Sequence, residues 1–427
     1  MDIRNIRCFI PIGGQGTRLR PLTYDVSKPC IRFLNRPLIE FSIIELAEQG
    51  IRNFIFGELG YTNYANLFDQ YAEGVGVSAK YNIEPRLHIK HQPNIDDLGS
   101  AHSFWINKEY YDIQDPILVV QGDNLFKLNL AGLVKEHERR KALMSIGLIK
   151  VENTEQYGVA KLGEDMQIKT FIEKPRKGEA PSNFANAGIY LISPNINDVL
   201  LKDDLKKIMS ERNRLDFGYD FIPYLVDHGY PVYGYPVDVW YDVGNIEHYL
   251  QAMLEILHGK LDIRVAEKRI LSGRNLWVQG FSQESIKRRQ EILNKYSEKR
   301  LFLDGAALIG RHTRIGDYSK ISESCVDNFC ILGEHVYIDR SAVLDGCRIG
   351  DYANITDSIV GRKTIIESSL EHPTYIEGNS ALGSSVRIKE GCRLIRTKIN
   401  PGLVIPKGMT YVDKTLLTFE DVVQLSS

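Results

Sequence analysis

The pattern of apolar and polar positions changes its period along the chain. Short runs rich in Ile, Val and Phe occupy residues 6–12, 51–57 and 115–120, and they alternate with stretches at helical spacing, as in 38–50 and 131–142. Strands that alternate with helices predict a largely parallel, mixed sheet with both faces covered. We therefore expect a Rossmann-like α/β fold in which ligands bind beyond the carboxyl ends of the strands.

Beyond about residue 305 the pattern becomes a six-residue repeat. Hexapeptides such as IGRHTR, IGDYSK, LGEHVY and IGDYAN begin with an aliphatic residue, and a small residue often fills the second or fifth place. A left-handed parallel β-helix explains this repeat, because the aliphatic side chains point into the coil and small residues fit its corners. The repeat slips near Asp327, Gly346 and His372, where we expect loops or short insertions.

These two patterns predict three parts. An α/β domain spans residues 1–260, a mostly helical linker spans 261–304, and the β-helix spans 305–427. Within the linker, residues 282–300 are polar and helix-prone. Such a charge run predicts a solvated helical face, and the alternative is a basic contact with a neighbouring subunit.

Composition narrows the possible classes of protein. The chain has 427 residues, a formal net charge of −2 and 25% charged residues, which argues against a nucleic-acid binder with a basic surface. No run reaches the roughly 18 apolar residues of a membrane span, and the N-terminus has no secretory signal. The six cysteines have no metal-ligand spacing, so we expect buried thiols in a reducing cytoplasm.

A glycine-rich stretch, GGQGTRLRPLT, follows the first apolar run, and SKP comes soon after it. Glycine lets the backbone approach phosphate oxygens. The spacing fits neither a Walker loop nor a GxGxxG dinucleotide fingerprint. A nucleotidyltransferase loop, in which Arg18 and Lys28 neutralise a triphosphate, is the third possibility. A bare glycine turn would not explain Arg18, Arg20 and Lys28 together.

This stretch closely resembles the GGxGTRLxPLTxxxxKP motif of sugar-1-phosphate nucleotidyltransferases. LGSAH, QGDNLF, YGVAKL, EKP, FANAGIYLI and WYDVGNIEHYL follow in the order found in that family, so the resemblance covers residues 10 to about 250. It implies that a sugar 1-phosphate attacks the α-phosphorus of a nucleoside triphosphate and releases pyrophosphate. Relatives mostly carry LAGG where this chain has FIPIGG, so Pro11 and Ile12 put the choice of base in doubt.

Two aspartates and two cations are the candidates for catalysis. Asp123 follows a buried strand, and Asp242 has a similar setting. Mg²⁺ is commonly held by one or two carboxylates plus substrate phosphates, and the resemblance gives both residues this role. Arg18 suits the leaving pyrophosphate because its guanidinium matches phosphate oxygens. Lys28 would act as a point charge on the triphosphate or on the incoming phosphate.

The remaining candidates would contact substrate. For the nucleotide, backbone contacts are expected from the loop and further contacts near the base from the LGSAH region, giving Gly13, Gly14, Gly16, Thr17, Gln92 and Gly99. For the sugar, the resemblance assigns the phosphate to Lys174 and the hydroxyl groups to Glu173, with Gly158 and Asn186 as further contacts. Tyr157, Trp240 and Tyr241 are expected to serve mainly in packing, although Trp240 could line the sugar pocket.

Three questions stay open at this point. Some motifs resemble glucose-1-phosphate enzymes that use dTTP or UTP, and the β-helix resembles mannose-1-phosphate guanylyltransferases. The β-helix could also carry an acetyltransferase, for which His312, His335 and His372 are candidate bases, but no acyl-acceptor string accompanies them. A regulatory, inactive relative is the last alternative, and it would tend to lose the arginine, the lysine or an aspartate. Stacked coils also suit self-association, so we expect a homo-oligomer.

Overall fold

The computed structural model describes residues 1–14, 16–94, 98–260, 275–280 and 282–424. Contacts between residues divide it into two compact units. Unit 1 comprises Met1–Gly14 and Leu38–Tyr241, and unit 2 comprises Gln15–Pro37 and Asp242–Ser427. Part of the predicted linker lies outside the described residues, and the three-part division of the chain stays a prediction. In the described part of the chain, no helix is both long enough and apolar enough to cross a membrane.

The first part of the chain alternates strands and helices. The strands are Arg7–Ile12 (β1), Arg32–Phe33 (β2), Arg36–Pro37 (β3), Asn53–Leu59 (β4), His88–Asn94 (β5), Ile117–Val120 (β6), Asn124–Lys127 (β7), Met144–Lys150 (β8), Gly158–Leu162 (β9), Ile168–Glu173 (β10), Phe184–Ile192 (β11), Val232–Pro236 (β12) and Val239–Asp242 (β13). The helices are Ile39–Glu48 (α1), Tyr61–Tyr71 (α2), Val75–Tyr81 (α3), Ser100–Tyr110 (α4), Leu130–Arg139 (α5), Asn197–Leu200 (α6), Asp203–Arg212 (α7), Ile222–Asp227 (α8) and Ile246–Leu257 (α9).

A mixed sheet forms the centre of unit 1. Its main path runs β10-β9-β11-β6-β1-β4-β5, and β8 joins β11 to β12. β1 is parallel to both β4 and β6, whereas β11 is antiparallel to β6, β8 and β9. Cys8, Phe9 and Ile10 are consecutive and buried in β1, which requires cover on both faces of the sheet. The predicted α/β class is therefore confirmed.

Unit 2 is built mainly from short parallel strands. They are Leu276–Val278 (β14), Leu301–Ile309 (β15), Arg314–Ile315 (β16), Ser319–Val326 (β17), Ile331–Leu332 (β18), Tyr337–Asp339 (β19), Ala342–Val343 (β20), Arg348–Ile349 (β21), Asn354–Thr356 (β22), Ile359–Val360 (β23), Ile365–Ile366 (β24), Tyr375–Glu377 (β25), Ala381–Leu382 (β26), Arg387–Ile388 (β27), Arg393–Ile395 (β28), Lys398–Ile399 (β29), Val404–Ile405 (β30), Thr410–Val412 (β31) and Thr415–Leu416 (β32). The helices Gln283–Ser297 (α10) and Phe419–Gln424 (α11) accompany them, and α10 confirms the predicted helix.

Each coil of the β-helix is normally 17 residues long. Ile321, Ile338 and Ile355 pair in register at that spacing and are completely buried. One side of the coil has five residues instead of six, as between Ile321 and Val326. The slips expected near Asp327 and Gly346 are therefore not loops, because they arise at this shortened side.

Buried hydroxyl groups close the shortened side of the coil. The Oγ atoms of Ser324 and Ser341 accept hydrogen bonds from the backbone N–H groups of Ser341 and Ser358, one coil further on. This ladder pairs backbone groups that would otherwise be buried without a partner. Near His372 the expected insertion is confirmed, because Val360 pairs with Leu382 across 22 residues.

Candidate active site

The glycine-rich turn begins where β1 ends. A Cβ atom at Gly13 would lie 3.2 Å from Cβ of Leu59, whereas a Cβ atom at Gly14 would have no atom of the described part of the chain within 4 Å. Packing against Leu59 thus explains why residue 13 is glycine, whereas contacts among the described residues do not explain why residue 14 is glycine. The absence of a side chain at Gly14 leaves open space beside the backbone, where another molecule could approach.

Gly16 has a conformational reason to be glycine. Its φ is +58°, and a Cβ atom there would lie 2.7 Å from Cγ2 of Thr23. The Thr23 hydroxyl donates to the Gly16 carbonyl oxygen at 2.9 Å. Gly16 precedes a short 3-10 helix, Thr17–Leu19, which carries Arg18. The local turn therefore fixes the position of the Arg18 backbone, from which the side chain extends.

Arg18 and Lys28 converge on Asp242 within unit 2. Nη2 of Arg18 lies 3.6 Å from Oδ2 of Asp242, and Nζ of Lys28 lies 3.7 Å from Oδ1. The side chains of Lys28 and Asp242 are 9% and 8% exposed, whereas that of Arg18 is 54% exposed. The cluster has an excess of one positive charge, and its arginine is open to solvent. It can therefore receive an anion.

Gly244 makes room for this cluster, and the sequence analysis did not single it out. A Cβ atom at Gly244 would lie 2.7 Å from both carboxylate oxygens of Asp242 and 2.9 Å from Nη2 of Arg18. Any side chain would push the pair apart. The WYDVGN string contained the signal, because glycine two residues after a candidate ligand often marks a close approach.

The donors suit a hard cation. Carboxylate oxygens such as those of Asp242 are the ligands that Mg²⁺ prefers. No group of three or more His, Cys, Asp or Glu side chains that could hold a metal occurs within the described residues. An ion would then be shared between one or two carboxylates and phosphate oxygens, as is common for Mg²⁺. Asp123, the second candidate, lies in unit 1, three residues after the end of β6, and is partly exposed.

Glu173 lies in a cradle of two glycines in unit 1. A Cβ atom at Gly158 would lie 2.4 Å from Oε2 of Glu173, and one at Gly218 would lie 2.3 Å from the same oxygen. Burial raises the pKa of Glu173, and the neighbouring Lys174 opposes that shift. The two bare backbones thus hold a carboxylate that can accept hydrogen bonds from hydroxyl groups. Gly218 was also missed, since the residue it serves is 45 positions away in the sequence.

Lys174 is held beside an aromatic ring. Its φ is +48°, and its backbone N–H donates to the Tyr157 carbonyl at 3.0 Å. Nζ of Lys174 lies 5.4 Å from the ring centroid of Tyr219, and Cζ of Arg214 lies 4.7 Å from the same centroid. Cation–π attraction at these distances orients the lysine without removing its charge.

Asn186 serves the sheet itself. Its Nδ2 donates to the Tyr190 hydroxyl at 2.8 Å, and its Oδ1 accepts from the Gly188 N–H at 2.9 Å. These bonds lie where the register of β11 against β8 shifts. A contact between Asn186 and a sugar would add to this local role.

The two residues expected near the base differ in setting. Gln92 lies on β5 and is partly exposed. Gly99 has φ of +134°, and a Cβ atom there would lie 2.7 Å from Oδ1 of Asp216, an atom that accepts from the backbone N–H of Ser100. The fold therefore already requires glycine at position 99 to begin α4.

Trp240 and Tyr157 make packing contacts, as expected of them. Nε1 of Trp240 donates to the Ala187 carbonyl at 2.9 Å, and its ring meets Tyr157 edge-on at 5.3 Å.

On the β-helix, His312 stacks on Phe329 at 5.1 Å, and His335 stacks on Tyr352 at 4.6 Å. Two of the three candidate bases thus lie in aromatic stacks at coil corners.

The sequence candidates gather in two places. The structure brings Arg18, Lys28 and Asp242 together in unit 2, and it brings Gly158, Glu173 and Lys174 together in unit 1. One cluster is cationic and the other presents a half-buried carboxylate beside a lysine. The first suits a polyphosphate, and the second suits a ligand with both hydroxyl and phosphate groups.

Comparison with known proteins gives matches over both halves of the chain. The nucleotidyl transferase family model matches residues 9–259, and the model of the GMPPB C-terminal domain matches residues 303–415. The UTP–glucose-1-phosphate uridylyltransferase of Synechocystis sp. is 26% identical over 361 residues, covering 83% of this chain and 87% of the relative. A glucose-1-phosphate adenylyltransferase of Desulforamulus reducens is 26% identical over 414 residues, covering 90% and 96%. One from Clostridium botulinum is 31% identical over 288 residues, covering 64% and 72%.

Proposed function

The chain belongs to the nucleotidyl transferase family, and on that premise we propose that it transfers the nucleotidyl group of a nucleoside triphosphate to a hexose 1-phosphate. An oxygen of the sugar phosphate attacks the α-phosphorus and forms a new P–O bond. The bond from the α-phosphorus to the bridging oxygen of the β-phosphate breaks, and pyrophosphate leaves with the electron pair. The products are an NDP-sugar and pyrophosphate, with no covalent intermediate on the protein.

The convergence of Arg18 and Lys28 on Asp242 is the observation that carries this proposal. Two anions must approach each other, and negative charge grows on the leaving pyrophosphate. Fixed cations lower that barrier because they are already in place when the charge develops. Arg18 is half-exposed, so a phosphate can reach its guanidinium from solvent, and Lys28 is buried beside the same carboxylate.

Glu173 and Lys174 would hold the sugar phosphate. The carboxylate accepts hydrogen bonds from the sugar hydroxyl groups, and the ammonium group pairs with the phosphate. The glycine cradle supports this role, since the bare backbone at Gly158 and Gly218 makes room for the carboxylate of Glu173. An analogue that lacks the paired hydroxyl would leave a buried acceptor unmet, at a cost of about 1–3 kcal/mol.

Asp123 and Asp242 would hold a divalent cation. Mg²⁺ fits their oxygen donors, and when bound it would neutralise phosphate charge beside the α-phosphorus. Without it, Lys28 and Arg18 share the charge of Asp242 and hold its side chain in place. Gly13, Gly14, Gly16 and Thr17 would offer backbone N–H groups to the nucleotide.

Pyrophosphate release with Mg²⁺ tests the reaction. Five nucleoside triphosphates are each paired with glucose 1-phosphate, mannose 1-phosphate and galactose 1-phosphate. Turnover in one or a few pairs is expected, and a folded protein that releases no pyrophosphate from any pair contradicts the proposal. Glucose 1-phosphate is the first candidate, because the curated relatives reported above are named for it. GTP with mannose 1-phosphate is the second candidate pair. The β-helix, which the model of the GMPPB C-terminal domain matches, resembles that of mannose-1-phosphate guanylyltransferases.

A further inference from the structure

The chain that carries Lys28 continues directly into a segment bound to the β-helix, within unit 2. Lys28–Cys30 is a short 3-10 helix whose residues are all buried, and Ile31 after it is 2% exposed. Arg32 follows, four residues beyond Lys28. The intervening backbone is ordered by its own hydrogen bonds, from Cys30 N–H to Ser27 and from Ile31 N–H to Lys28. A displacement of Arg32 would therefore be transmitted to Lys28.

Arg32 forms a fork with Asp327, a residue of the β-helix. Its Nη2 donates to Oδ1 of Asp327 at 2.7 Å, and its Nε donates to Oδ2. The Asp327 side chain is 1% exposed and that of Arg32 is 18% exposed. Oδ1 of Asp327 has a second donor, because it also accepts a hydrogen bond from the backbone N–H of Asn328 at 2.6 Å. Such a bidentate pair fixes orientation as well as distance.

A second carboxylate extends the pair into a row of alternating charges. Nε of Arg32 lies 3.6 Å from Oδ1 of Asp345, which accepts from Nε of Arg362 at 2.7 Å. Asp327 and Asp345 lie on successive coils of the β-helix. Arg32 is thus the only residue of this row that comes from the segment 15–37, among the residues that the structure describes.

Other contacts hold the backbone on either side of Arg32. The Tyr249 hydroxyl donates to the Arg32 carbonyl at 2.7 Å, and the ring of Tyr249 meets Phe33 edge-on at 4.9 Å. Nδ2 of Asn35 donates to the Val326 carbonyl at 3.3 Å. Since Val326 directly precedes Asp327, two neighbouring residues of the β-helix bind the segment, one through Asn35 and the other through Arg32.

We propose that Arg32, through its fork with Asp327 and its contact with Asp345, is a positioning residue that sets Lys28 for nucleotidyl transfer. The β-helix is then a working part of the active site, because it supplies the fixed end against which the phosphate-binding segment is held. This inference rests on the proposed function for its assay. It predicts that loss of the fork lowers the rate while the sugar side, held by residues of unit 1, keeps its affinity.

Arg32→Gln and Arg32→Lys test the role of the fork. Arg32→Gln removes the charge and the fork, and Arg32→Lys keeps the charge without the planar fork. We expect Arg32→Gln to lower kcat about 10²-fold, because small misplacements of catalytic groups have effects of that order. KM for the nucleotide should rise, and KM for the sugar 1-phosphate should change less than about twofold. Arg32→Lys should recover only part of the lost rate.

Arg396→Gln is the matched control. Arg396 makes the same kind of fork with Asp413 on later coils of the β-helix, and both side chains are exposed. It should retain wild-type kcat and KM. If Arg32→Gln does not fold, Asp345→Asn tests the positioning role instead. The Asp345 side chain is 19% exposed, and its loss weakens the row of charges while Arg32 stays paired with Asp327.

The outcomes separate the two proposals. An inactive wild type and an inactive Arg396→Gln overturn the proposed function. An active wild type with a folded Arg32→Gln, or failing that an Asp345→Asn, of unchanged kcat and nucleotide KM overturns the positioning role. The thermal shift caused by the nucleotide gives a readout without turnover, and it should shrink in Arg32→Gln but not in Arg396→Gln.

Discussion

Nζ of Lys28 lies 3.7 Å from Oδ1 of Asp242, and both side chains are at least nine-tenths buried. A buried pair is expensive to break because the remaining charge loses its counter-ion. Asp242→Ala should therefore lower the free energy of unfolding by about 3 kcal/mol, as well as abolish turnover. Urea denaturation and the pyrophosphate assay measure the two effects.

Asp123→Ala gives the comparison for that variant. Asp123 is partly exposed, so its removal should leave the protein folded with nearly unchanged stability and with almost no turnover. Near wild-type activity of Asp123→Ala with Mg²⁺ present would refute the model with two aspartate ligands. Equal stability of Asp242→Ala and wild type would refute the buried-pair argument.

Gly218→Ala should weaken binding of the sugar 1-phosphate. The added methyl group would lie 2.3 Å from Oε2 of Glu173, so the carboxylate must move. We expect KM for the sugar phosphate to rise about tenfold or more, since a displaced carboxylate loses about 1–3 kcal/mol of hydrogen bonding. Steady-state kinetics with each substrate varied in turn measure the effect.

Gly76→Ala is the control for the cradle. Gly76 lies in α3, where a Cβ atom would come within 4 Å of none of the residues that the structure describes, and alanine favours the helix. This variant should be as active as wild type and slightly more stable. A Gly218→Ala variant with unchanged KM for the sugar phosphate would show that Glu173 does not contact the sugar.

Gly14→Ala separates folding from nucleotide binding. No atom of the described residues lies within 4 Å of the added methyl group, so the free energy of unfolding should change by less than about 0.5 kcal/mol. If the triphosphate approaches the backbone here, KM for the nucleotide should rise at least tenfold. Unchanged affinity, measured by titration calorimetry, would place the nucleotide elsewhere.

His137 makes the stability of the protein depend on pH. Burial lowers its pKa from 6.5 to about 4, and its ring nitrogens lie 2.8 Å from the hydroxyl oxygens of Ser145 and Ser193. The Ser193 hydroxyl donates to the Ala142 carbonyl, so it accepts from Nε2, and neutral imidazole fits both partners. Protonation therefore favours the unfolded chain.

The sign of this effect follows from the two pKa values. Above pH 6.5 the histidine is neutral in both states, and stability is lost as the pH falls toward 4, because only the unfolded state then takes up the proton. Between pH 8 and pH 5 the loss is about 2 kcal/mol. His137→Gln should lose about 2 kcal/mol less over that interval in urea denaturation. The exposed His88→Gln is the control, and equal slopes for His137→Gln and wild type would contradict the argument.

The two repeating patterns were enough to predict both architectures, because each is a periodic burial rule. Alternating runs gave β1, β4 and β6, and the aliphatic hexads gave the coils. The period did not reveal which side of the coil is one residue shorter, since Ile321 to Val326 could be read as a slip at Asp327. Coil length depends on a backbone corner that apolar spacing does not record.

The site was predictable only where its residues fall inside contiguous motifs. Arg18 and Lys28 stand in such strings. Gly218 and Gly244 matter for another reason, because a side chain at either position would clash with a residue of the site. Arg32 was missed for a similar reason. Its partner Asp327 is almost 300 positions away, so no local pattern links them.

The membership of residues 15–37 in unit 2 limits how this enzyme can be recombined with its relatives. A chimaera with one crossover near residue 260 would join the arginine fork of one parent to the β-helix of another. Parents that lack an acidic residue at position 327 would leave Arg32 without the partner of its fork. Productive exchange of the sugar half therefore calls for joints near 14, 37 and 241, so that the loop travels with the coils that hold it.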